Sequence, residues 1–282
     1  MNNPGGARVG ENYELIRLDV RGHVAEVVLD NPGRLNAMGP GFFREVRDAF
    51  TRLDREPEVR AVVVWAEGRV FSSGLDLKEA TGLIPPRGPG LSDAARNRAV
   101  YETVREFQGC FSRIGQTRQP VIAAVHGLCI GGGLDLVTAC DIRLCTADAG
   151  FAVHETKIAM VADLGSLQRI TRLVGRGHAR ELAFTGKTLD AERALRIGLV
   201  NEVYPDKEAL LRGARELARE IAANSPLVVQ GVKQVLNYSE EHTEAEGLEY
   251  VAHWNASFFL SHDLDEAVRA FNEKRAPDFK GD

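Results

Sequence analysis

Three consecutive glycines, Gly131 to Gly133, stand between an apolar run and an acidic, apolar segment in LCIGGGLDLVTACDI, residues 128–142. Glycine loses more backbone freedom on folding than any other residue, so a triplet marks a tight turn or a close approach of the main chain to another group. The preceding PVIAAVHG has the pattern of a buried strand and GGGLDLVTAC that of a helix. N–H groups at this helix start would hold an oxygen that becomes negative during a reaction, although a plain strand-to-helix turn fits the triplet equally well.

A dinucleotide-binding fingerprint does not explain these glycines, because Gly127 and Gly131–Gly133 lack the GxGxxG spacing. A second glycine loop, FSSGLDL at residues 71–77, follows another β-rich run and would supply a partner N–H group. Two such donors aimed at one oxygen form an oxyanion hole.

The order strand, strand, helix recurs along the first part of the chain and predicts an α/β fold. LIRLDVRGHVAEVVLD reads as two strands, FFREVRDAFTRL as a helix, AVVVWAEG as a strand and FAVHE as a short strand. From residue 205 only helical patterns follow. We therefore expect a core over residues 1–204 and an all-helical subdomain over residues 205–282 that serves oligomerisation. The Pro- and Gly-rich segment 82–92 is a surface loop by composition, and its conformation is left open.

Composition excludes several classes of function. With 282 residues and a net charge of -5, the chain lacks the excess of Lys and Arg that nucleic-acid binding needs. No apolar run has the length of a signal-peptide core or a membrane helix, which predicts a soluble, cytoplasmic protein without a membrane partner. The cysteines lack CxxC spacing and lie in apolar runs, so we expect buried thiols rather than disulfides or a metal site: Cys110, Cys129, Cys140 and Cys145.

The FSSGLDLKE loop, followed by PVIAAVHGLCIGGGLDLVTACDIRLC, resembles the enoyl-CoA hydratase/isomerase (crotonase) superfamily, and the likeness continues to the terminal EKRAPDFKGD. The resemblance implies a crotonase-like spiral of ββα units that acts on acyl-CoA thioesters as a homotrimer or a dimer of trimers. It implies no metal and no separate cofactor, since coenzyme A is part of the substrate. By position in the motif, the oxyanion donors would be the N–H groups of Leu75 and Gly132.

Three carboxyl groups behind the glycine motif are the candidate acids and bases, since Glu155 follows Asp135 by 20 residues and Asp163 follows it by 28. Hydratases of the superfamily hold one water between two glutamates, and Asp135 departs from that pattern. Taken singly, each residue has a structural explanation. Asp135 lies in a first helical turn, Asp163 would serve as N-cap of SLQRITRL, and Glu155 would be an exposed strand residue.

Taken together, the three carboxyls are similar to those of the Δ3,5-Δ2,4-dienoyl-CoA isomerases, which move a proton from C2 to C6 of a 3,5-dienoyl thioester. The resemblance implies that Glu155 removes the C2 proton, that Asp163 delivers one to C6, and that Asp135 supports the pair. Such an enzyme would act in the β-oxidation of unsaturated fatty acids. A 2-enoyl-CoA hydratase and a non-catalytic acyl-CoA-binding or assembly protein are the alternatives.

The resemblance also implies contacts to the coenzyme A part of the substrate. Arg34 and Lys280 occupy family positions near the nucleotide, the latter often reaching the ligand of a neighbouring subunit. The main chain of Asp76 and Leu77 would contact the adenine. The remaining substrate contacts would come from the two glycine loops, through Ser73, Gly74 and Gly131.

Overall fold

The computed structural model describes residues 7–8, 13–83 and 92–282. Most of the 82–92 segment, whose conformation the sequence leaves open, therefore lies outside the described residues. Across the described residues the chain forms ten β-strands and ten α-helices. The strands are β1 Ala7–Arg8, β2 Ile16–Arg21, β3 Val24–Leu29, β4 Ala61–Ala66, β5 Val121–Val125, β6 Leu128–Ile130, β7 Ile142–Thr146, β8 Gly150–Ala152, β9 Leu189–Asp190 and β10 Glu202–Tyr204.

The helices lie between and after these strands. They are α1 Pro40–Leu53, α2 Leu77–Leu83, α3 Asp93–Gln116, α4 Gly132–Thr138, α5 Ser166–Thr185, α6 Ala191–Arg196, α7 Lys207–Ala222, α8 Pro226–Ser239, α9 Glu244–Phe258 and α10 His262–Glu273. The α/β fold expected from the sequence, with a helical C-terminal region, is confirmed.

Seven strands form one sheet in the order β1-β2-β3-β4-β5-β7-β10, and β6, β8 and β9 form a second, smaller sheet. From β3 to β10 the large sheet is parallel, while β1 and β2 are antiparallel additions at one edge. Strands β3, β4 and β5 are buried along their whole length. Near-continuous runs of Val, Ile and Ala are typical of parallel strands that are covered on both faces.

Helices α1 and α3 cover one face of the large sheet through aromatic packing. On α1 the buried residues follow helical spacing: Phe42, Phe43, Val46, Ala49, Phe50 and Leu53. The ring of Phe43 stacks on Phe107 of α3 with their centroids 3.9 Å apart. This contact fixes α3 firmly against the core.

Helix α7 covers the opposite face through small side chains. Ala214, Ala218 and Ala222 recur every fourth residue and are buried against the strands, with Leu210 on the same stripe. Alanines at this spacing let a helix approach a sheet closely. The division at residue 204 stays a prediction, but α7 lies after it and packs on the sheet before it.

A buried carboxylate anchors α7 to the sheet. Glu26 on β3 is 4% exposed and accepts two hydrogen bonds of 2.8 Å from Arg215 of α7. It accepts a third, of 2.7 Å, from the indole Nε1 of Trp65 on β4. The pKa of Glu26 is lowered, because these donors outweigh its burial, so the carboxylate is charged in the fold.

Removing the arginine should destabilise the protein, because Glu26 would keep its charge with one donor in place of three. We expect Arg215→Ala to lower the free energy of unfolding by about 3 kcal/mol, measured by chemical denaturation. Arg212→Ala removes an exposed ion pair of 3.8 Å on the same helix and should cost less than about 0.5 kcal/mol. Equal effects of the two substitutions would contradict an anchoring role for Glu26.

Candidate active site

The two glycine loops meet where β4 and β5 leave the large sheet. Phe71 N donates to His126 O at 2.9 Å, and Ser72 N donates to Leu128 O at 3.0 Å. Ile130 N returns a bond of 3.2 Å to Ser72 O. This strand-like pairing lays residues 71–76 beside β6 and the start of α4.

Glycine is required at the contact between the loops. Gly74 has φ +84°, and a Cβ there would lie 2.8 Å from Ile130 O and 3.3 Å from Gly132 N. A side chain at Gly74 would push the two loops apart, in addition to its strained conformation. The expectation of a close main-chain approach therefore holds between the loops themselves.

The N–H groups of Leu75 and Gly132 lie side by side. A Cβ on Gly132 would be 3.7 Å from Leu75 N. Pairing with Met38 uses the carbonyl of Gly74 and the N–H of Asp76, at 2.9 Å each, so the Leu75 N–H points to the other side. Neither Leu75 N–H nor Gly132 N–H donates a hydrogen bond within the described part of the chain. Two adjacent unused donors are what an oxyanion hole needs.

Ser72, which the sequence analysis did not single out, holds this arrangement together. It is 0% exposed, and its hydroxyl accepts from Gly74 N at 3.1 Å and donates to Asn36 O at 2.8 Å. Asn36 is also buried, has φ +52°, and its Nδ2 donates to two carbonyls of the 67–70 turn. The signal in the sequence is a serine two residues before a turn glycine, since Ser hydroxyls commonly accept from the N–H two residues ahead.

Of the other residues expected near coenzyme A, most already make hydrogen bonds or ion pairs within the chain, and one has an exposed side chain. Arg34 pairs with Asp76 and with Glu79, the latter at 2.6 Å, so two carboxylates already balance its charge. Asp76 also caps α2, because its Oδ1 accepts from two N–H groups of the first turn. Ser73 N donates to a carbonyl of the 34–36 turn at 3.0 Å. The side chain of Leu77 is 46% exposed at the mouth of this region.

The carboxyl group of Glu155 lies against the glycine turn. A Cβ on Gly131 would lie 3.3 Å from Glu155 Oε1, while the Gly131 N–H is used by Ala152 O at 3.0 Å. Placing Glu155 on a strand was wrong, because β8 ends at Ala152 and Glu155 begins a 3₁₀ turn. That turn directs the side chain into the site.

The environment of Glu155 is that of a base. Oε2 is buried and has no hydrogen-bond partner within the described residues. Burial raises the pKa of Glu155, and the charge of Asp163 raises it further. Asp163 is therefore near enough to Glu155 for their charges to interact, and both residues belong to the segment between β8 and α5.

The carboxyl group of Asp163 has no hydrogen bond from another described residue, and burial raises its pKa. The alternative in which Asp163 caps SLQRITRL is wrong. Gly165 is the N-cap of α5, and the carboxylate that binds the first turn belongs to Asp135. Asp163 is thus left without a structural partner for its side chain.

Asp135 is 1% exposed and links α4 to α5. Its Oδ1 accepts from Ser166 N at 2.6 Å. Burial and the charge of Glu155 raise the pKa of Asp135 to about 7, against the hydrogen bond from Ser166, which lowers it. The charge of Glu155 acts on Asp135 and that of Asp163 acts on Glu155, and of the three carboxyls only that of Asp135 is hydrogen-bonded to a distant segment of the described chain.

Lys280 is not part of this site within its own chain. The neighbouring Phe279 O accepts a bond of 2.8 Å from Arg60, at the start of β4, whereas the glycine loop follows the end of β4. Lys280 N is held by Asp263 at 2.7 Å, and its ammonium pairs with Asp278 at the surface. Lys280 therefore lies near the end of β4 that is opposite to the glycine loops.

Within the described residues no cluster of His, Cys, Asp and Glu side chains has the geometry of a metal site. The four cysteines are buried as expected, and burial raises the pKa of each thiol. No described helix is long and apolar enough to span a bilayer.

The family model for enoyl-CoA hydratase/isomerase matches residues 19–282. The chain belongs to this family. It is 44% identical over 271 residues, 95% of its length and 92% of the relative's, to a mitochondrial Δ(3,5)-Δ(2,4)-dienoyl-CoA isomerase of Dictyostelium discoideum. It is 40% identical over 269 residues, 95% of its length and 97% of the relative's, to a peroxisomal one of Arabidopsis thaliana.

A solved structure of this family, an enoyl-CoA hydratase from Bacillus anthracis, superposes with a TM-score of 0.86 at 30% identity, over 95% of this chain and 100% of that one. The crotonase-like fold and the family resemblance expected from the sequence are confirmed. The expected cytoplasmic location is wrong on this comparison, because the named isomerases are mitochondrial or peroxisomal. The expectation rested on the lack of long apolar runs, and such runs carry no information about import into an organelle.

The raised pKa of Asp135 predicts a specific dependence of stability on pH. The native state keeps a proton up to about pH 7 that the unfolded chain releases near pH 4, so the free energy of unfolding falls as pH rises across this range. A pKa of about 7 in the fold corresponds to at most about 4 kcal/mol. Asp135→Asn keeps an oxygen for Ser166 N and should flatten this part of the curve, measured by denaturation from pH 4 to 8.

Asp190→Asn is the matched control, since Asp190 is an exposed N-cap of α6 that accepts from Arg193 N at 2.8 Å. It should leave the slope of the curve unchanged. The assignment to Asp135 fails if the Asp135→Asn curve keeps the slope of the unsubstituted protein.

Proposed function

We propose that this protein isomerises 3,5-dienoyl-CoA thioesters to the conjugated 2,4-dienoyl-CoA by moving a proton from C2 to C6, in the β-oxidation of unsaturated fatty acids. The observation that carries the proposal is the Glu155 carboxyl, which lies against the glycine turn with a buried oxygen that has no hydrogen-bond partner within the described residues, together with Asp163, whose carboxyl receives no hydrogen bond from another described residue and whose pKa is raised by burial. The dienoyl-CoA isomerases among its relatives support the same reaction.

In the first step Glu155 removes the C2 proton. The C2–H bond breaks and its electron pair spreads over the dienolate, from the thioester oxygen to C6. A raised pKa makes Glu155 a stronger base than a solvated carboxylate. The N–H groups of Leu75 and Gly132 stabilise the negative charge on the oxygen.

In the second step Asp163 donates its proton to C6, which forms the C6–H bond and leaves double bonds at C2 and C4. Burial keeps Asp163 protonated to higher pH than a solvated aspartate, as a general acid requires. Asp135 holds the start of α5, and its charge state is coupled to that of Glu155. The substrate loses one proton at C2 and gains one at C6, and transfer of the proton from Glu155 back to Asp163 through solvent restores both carboxyls, so the reaction needs no cofactor beyond the coenzyme A of the substrate.

Hydration of a 2-enoyl-CoA is the second candidate, since the Bacillus anthracis structure carries that name. A hydratase needs two carboxyls around one water beside C3. In this chain the first position is the shorter Asp135, whose oxygen is bound to Ser166 N at 2.6 Å. This bond disfavours hydration, and a non-catalytic acyl-CoA-binding or assembly protein would leave the unpaired carboxyls unexplained.

The partners we propose are the acyl-CoA thioester and further copies of this chain, as a homotrimer or a dimer of trimers. Leu260 between α9 and α10 is 95% exposed, and Phe271 on α10 is 84% exposed. Apolar side chains this exposed mark a contact surface. In such an assembly Lys280 would reach the coenzyme A nucleotide bound to a neighbouring subunit. Arg34 would contact the nucleotide bound to its own subunit.

Substrate choice tests the proposal directly. With 3,5-octadienoyl-CoA the purified protein should produce the absorbance of the conjugated diene, and with crotonyl-CoA it should produce little change. Loss of the enoyl absorbance from crotonyl-CoA alone would make the protein a hydratase. No absorbance change with either thioester would support the non-catalytic alternative.

Two variants separate the proton transfers. Asp163→Asn should lower isomerisation by at least about 100-fold, because an amide cannot supply the proton, while exchange of the C2 proton in D₂O continues. Glu155→Gln should abolish both the exchange and the isomerisation. Unchanged turnover of Asp163→Asn would remove Asp163 from the mechanism.

Assembly is tested on the apolar surface. Leu260→Asp and Phe271→Asp each place a charge where we expect a subunit contact, so analytical ultracentrifugation should show monomers in place of trimers. Leu260→Met keeps the surface apolar and should keep the trimer. Trimers that persist in both aspartate variants would place the contact elsewhere.

A further inference from the structure

We infer that Gln108 on α3 is a positioning residue for Asp163, and that it controls delivery of the proton to C6 without affecting removal of the proton at C2. The inference rests on the proposed isomerisation. Gln108 Nε2 donates a hydrogen bond of 2.6 Å to the main-chain oxygen of Asp163, 55 residues further along the chain. The side chain of Gln108 therefore fixes the backbone from which the acid projects.

This bond matters because the backbone around Asp163 is irregular. Residues 159–165 connect the 3₁₀ turn at Glu155 to α5 and lie in no helix or strand. Within the described part of the chain, the bond from Gln108 is the one hydrogen bond from another residue to the main chain of residues 161–163. The carboxyl position of Asp163 thus depends on a single side chain of another element.

Gln108 is itself held in place. Its Oε1 accepts a hydrogen bond of 2.8 Å from Arg105 Nη1, one helical turn earlier, which leaves the amide Nε2 to face Asp163. The adjacent Phe107 stacks on Phe43 in the core, so α3 cannot shift freely at this point. The position of the rigid helix α3 therefore determines the position of the irregular segment 159–165.

The residues after Asp163 are fixed independently of Gln108. Arg169 Nη1 donates to Leu164 O at 3.3 Å, and Asp135 binds Ser166 N. No hydrogen bond joins Gln108 to Glu155 or to the glycine loops within the described residues. Loss of the Gln108 amide should therefore move Asp163 while leaving the base and the oxyanion donors in place.

The experiment uses the full-length protein and 3,5-octadienoyl-CoA in D₂O, with two readouts on each sample. Exchange of the C2 proton reports removal by Glu155, and growth of the diene absorbance reports delivery by Asp163. Gln108→Met keeps the length of the side chain and removes its donor. We expect diene formation to fall about 30-fold, since small displacements of catalytic groups have effects of this order, with C2 exchange within about twofold.

Gln116→Met makes the same change at an exposed position of α3 and should leave both readouts unchanged. Arg105→Met is a second variant, on the exposed face of the helix, and covers the case in which Gln108→Met does not fold. It releases Gln108 Oε1 and should lower diene formation about threefold with exchange unchanged.

The results distinguish a failure of the positioning role of Gln108 from a failure of the proposed isomerisation. A parallel fall of exchange and diene formation in Gln108→Met, or no fall in either, would overturn the positioning role of Gln108. In the Arg105→Met variant, an unchanged ratio of diene formation to C2 exchange would also overturn the positioning role of Gln108. Failure of the unsubstituted protein to form any diene would instead overturn the proposed isomerisation, and the inference with it.

Discussion

The close contact between the two glycine loops is the constraint on which the rest of the site depends. Gly74 and Gly132 approach so closely that a Cβ on Gly74 would lie 3.3 Å from Gly132 N, and it would lie 2.8 Å from Ile130 O. Only this distance places two main-chain donors from different parts of the chain beside each other. Ser72 maintains the distance, because its main chain pairs with β6 while its hydroxyl holds the Gly74 N–H. The donors are therefore fixed before any substrate binds, which is the condition for electrostatic stabilisation without reorganisation.

Hydrogen bonding divides three carboxyls in one buried environment into two kinds. Burial raises the pKa of Asp135, Glu155 and Asp163 alike. Of the three carboxyls, only that of Asp135 binds the main chain of a distant described segment, at Ser166 N, and it becomes part of the framework. Within the described residues Glu155 keeps a buried oxygen without a hydrogen-bond partner, which a purely structural role would leave uncompensated. One carboxyl thus belongs to the framework of the helix start, and the other two are those we propose for proton transfer.

The sequence predicts this fold well where the signal is local. Buried runs such as AVVVWA, the helical spacing of α1 and the glycine loops all appear where the patterns place them. It fails where the deciding contact joins distant residues. Nothing near Asp135 indicates that it binds Ser166 N, 31 residues away, and nothing near Gln108 points to Asp163. The short β6 was also missed, since three residues with one exposed leucine carry too little periodicity to predict a strand.

Some features of the site are shared by the family, and others distinguish its members. Forming an enolate requires the paired donors and a base at the glycine turn, and these lie in a loop held by Ser72, at the start of α4 and in the 3₁₀ turn after β8. The fate of the enolate depends on where a second acid stands, and Asp163 lies on an irregular segment whose position is set from α3. A hydratase and an isomerase can therefore keep one framework and differ in a few residues between the 3₁₀ turn and α5. On the proposed mechanism, selectivity among reactions follows from the anchoring of that segment by Gln108 more than from the strength of the oxyanion hole.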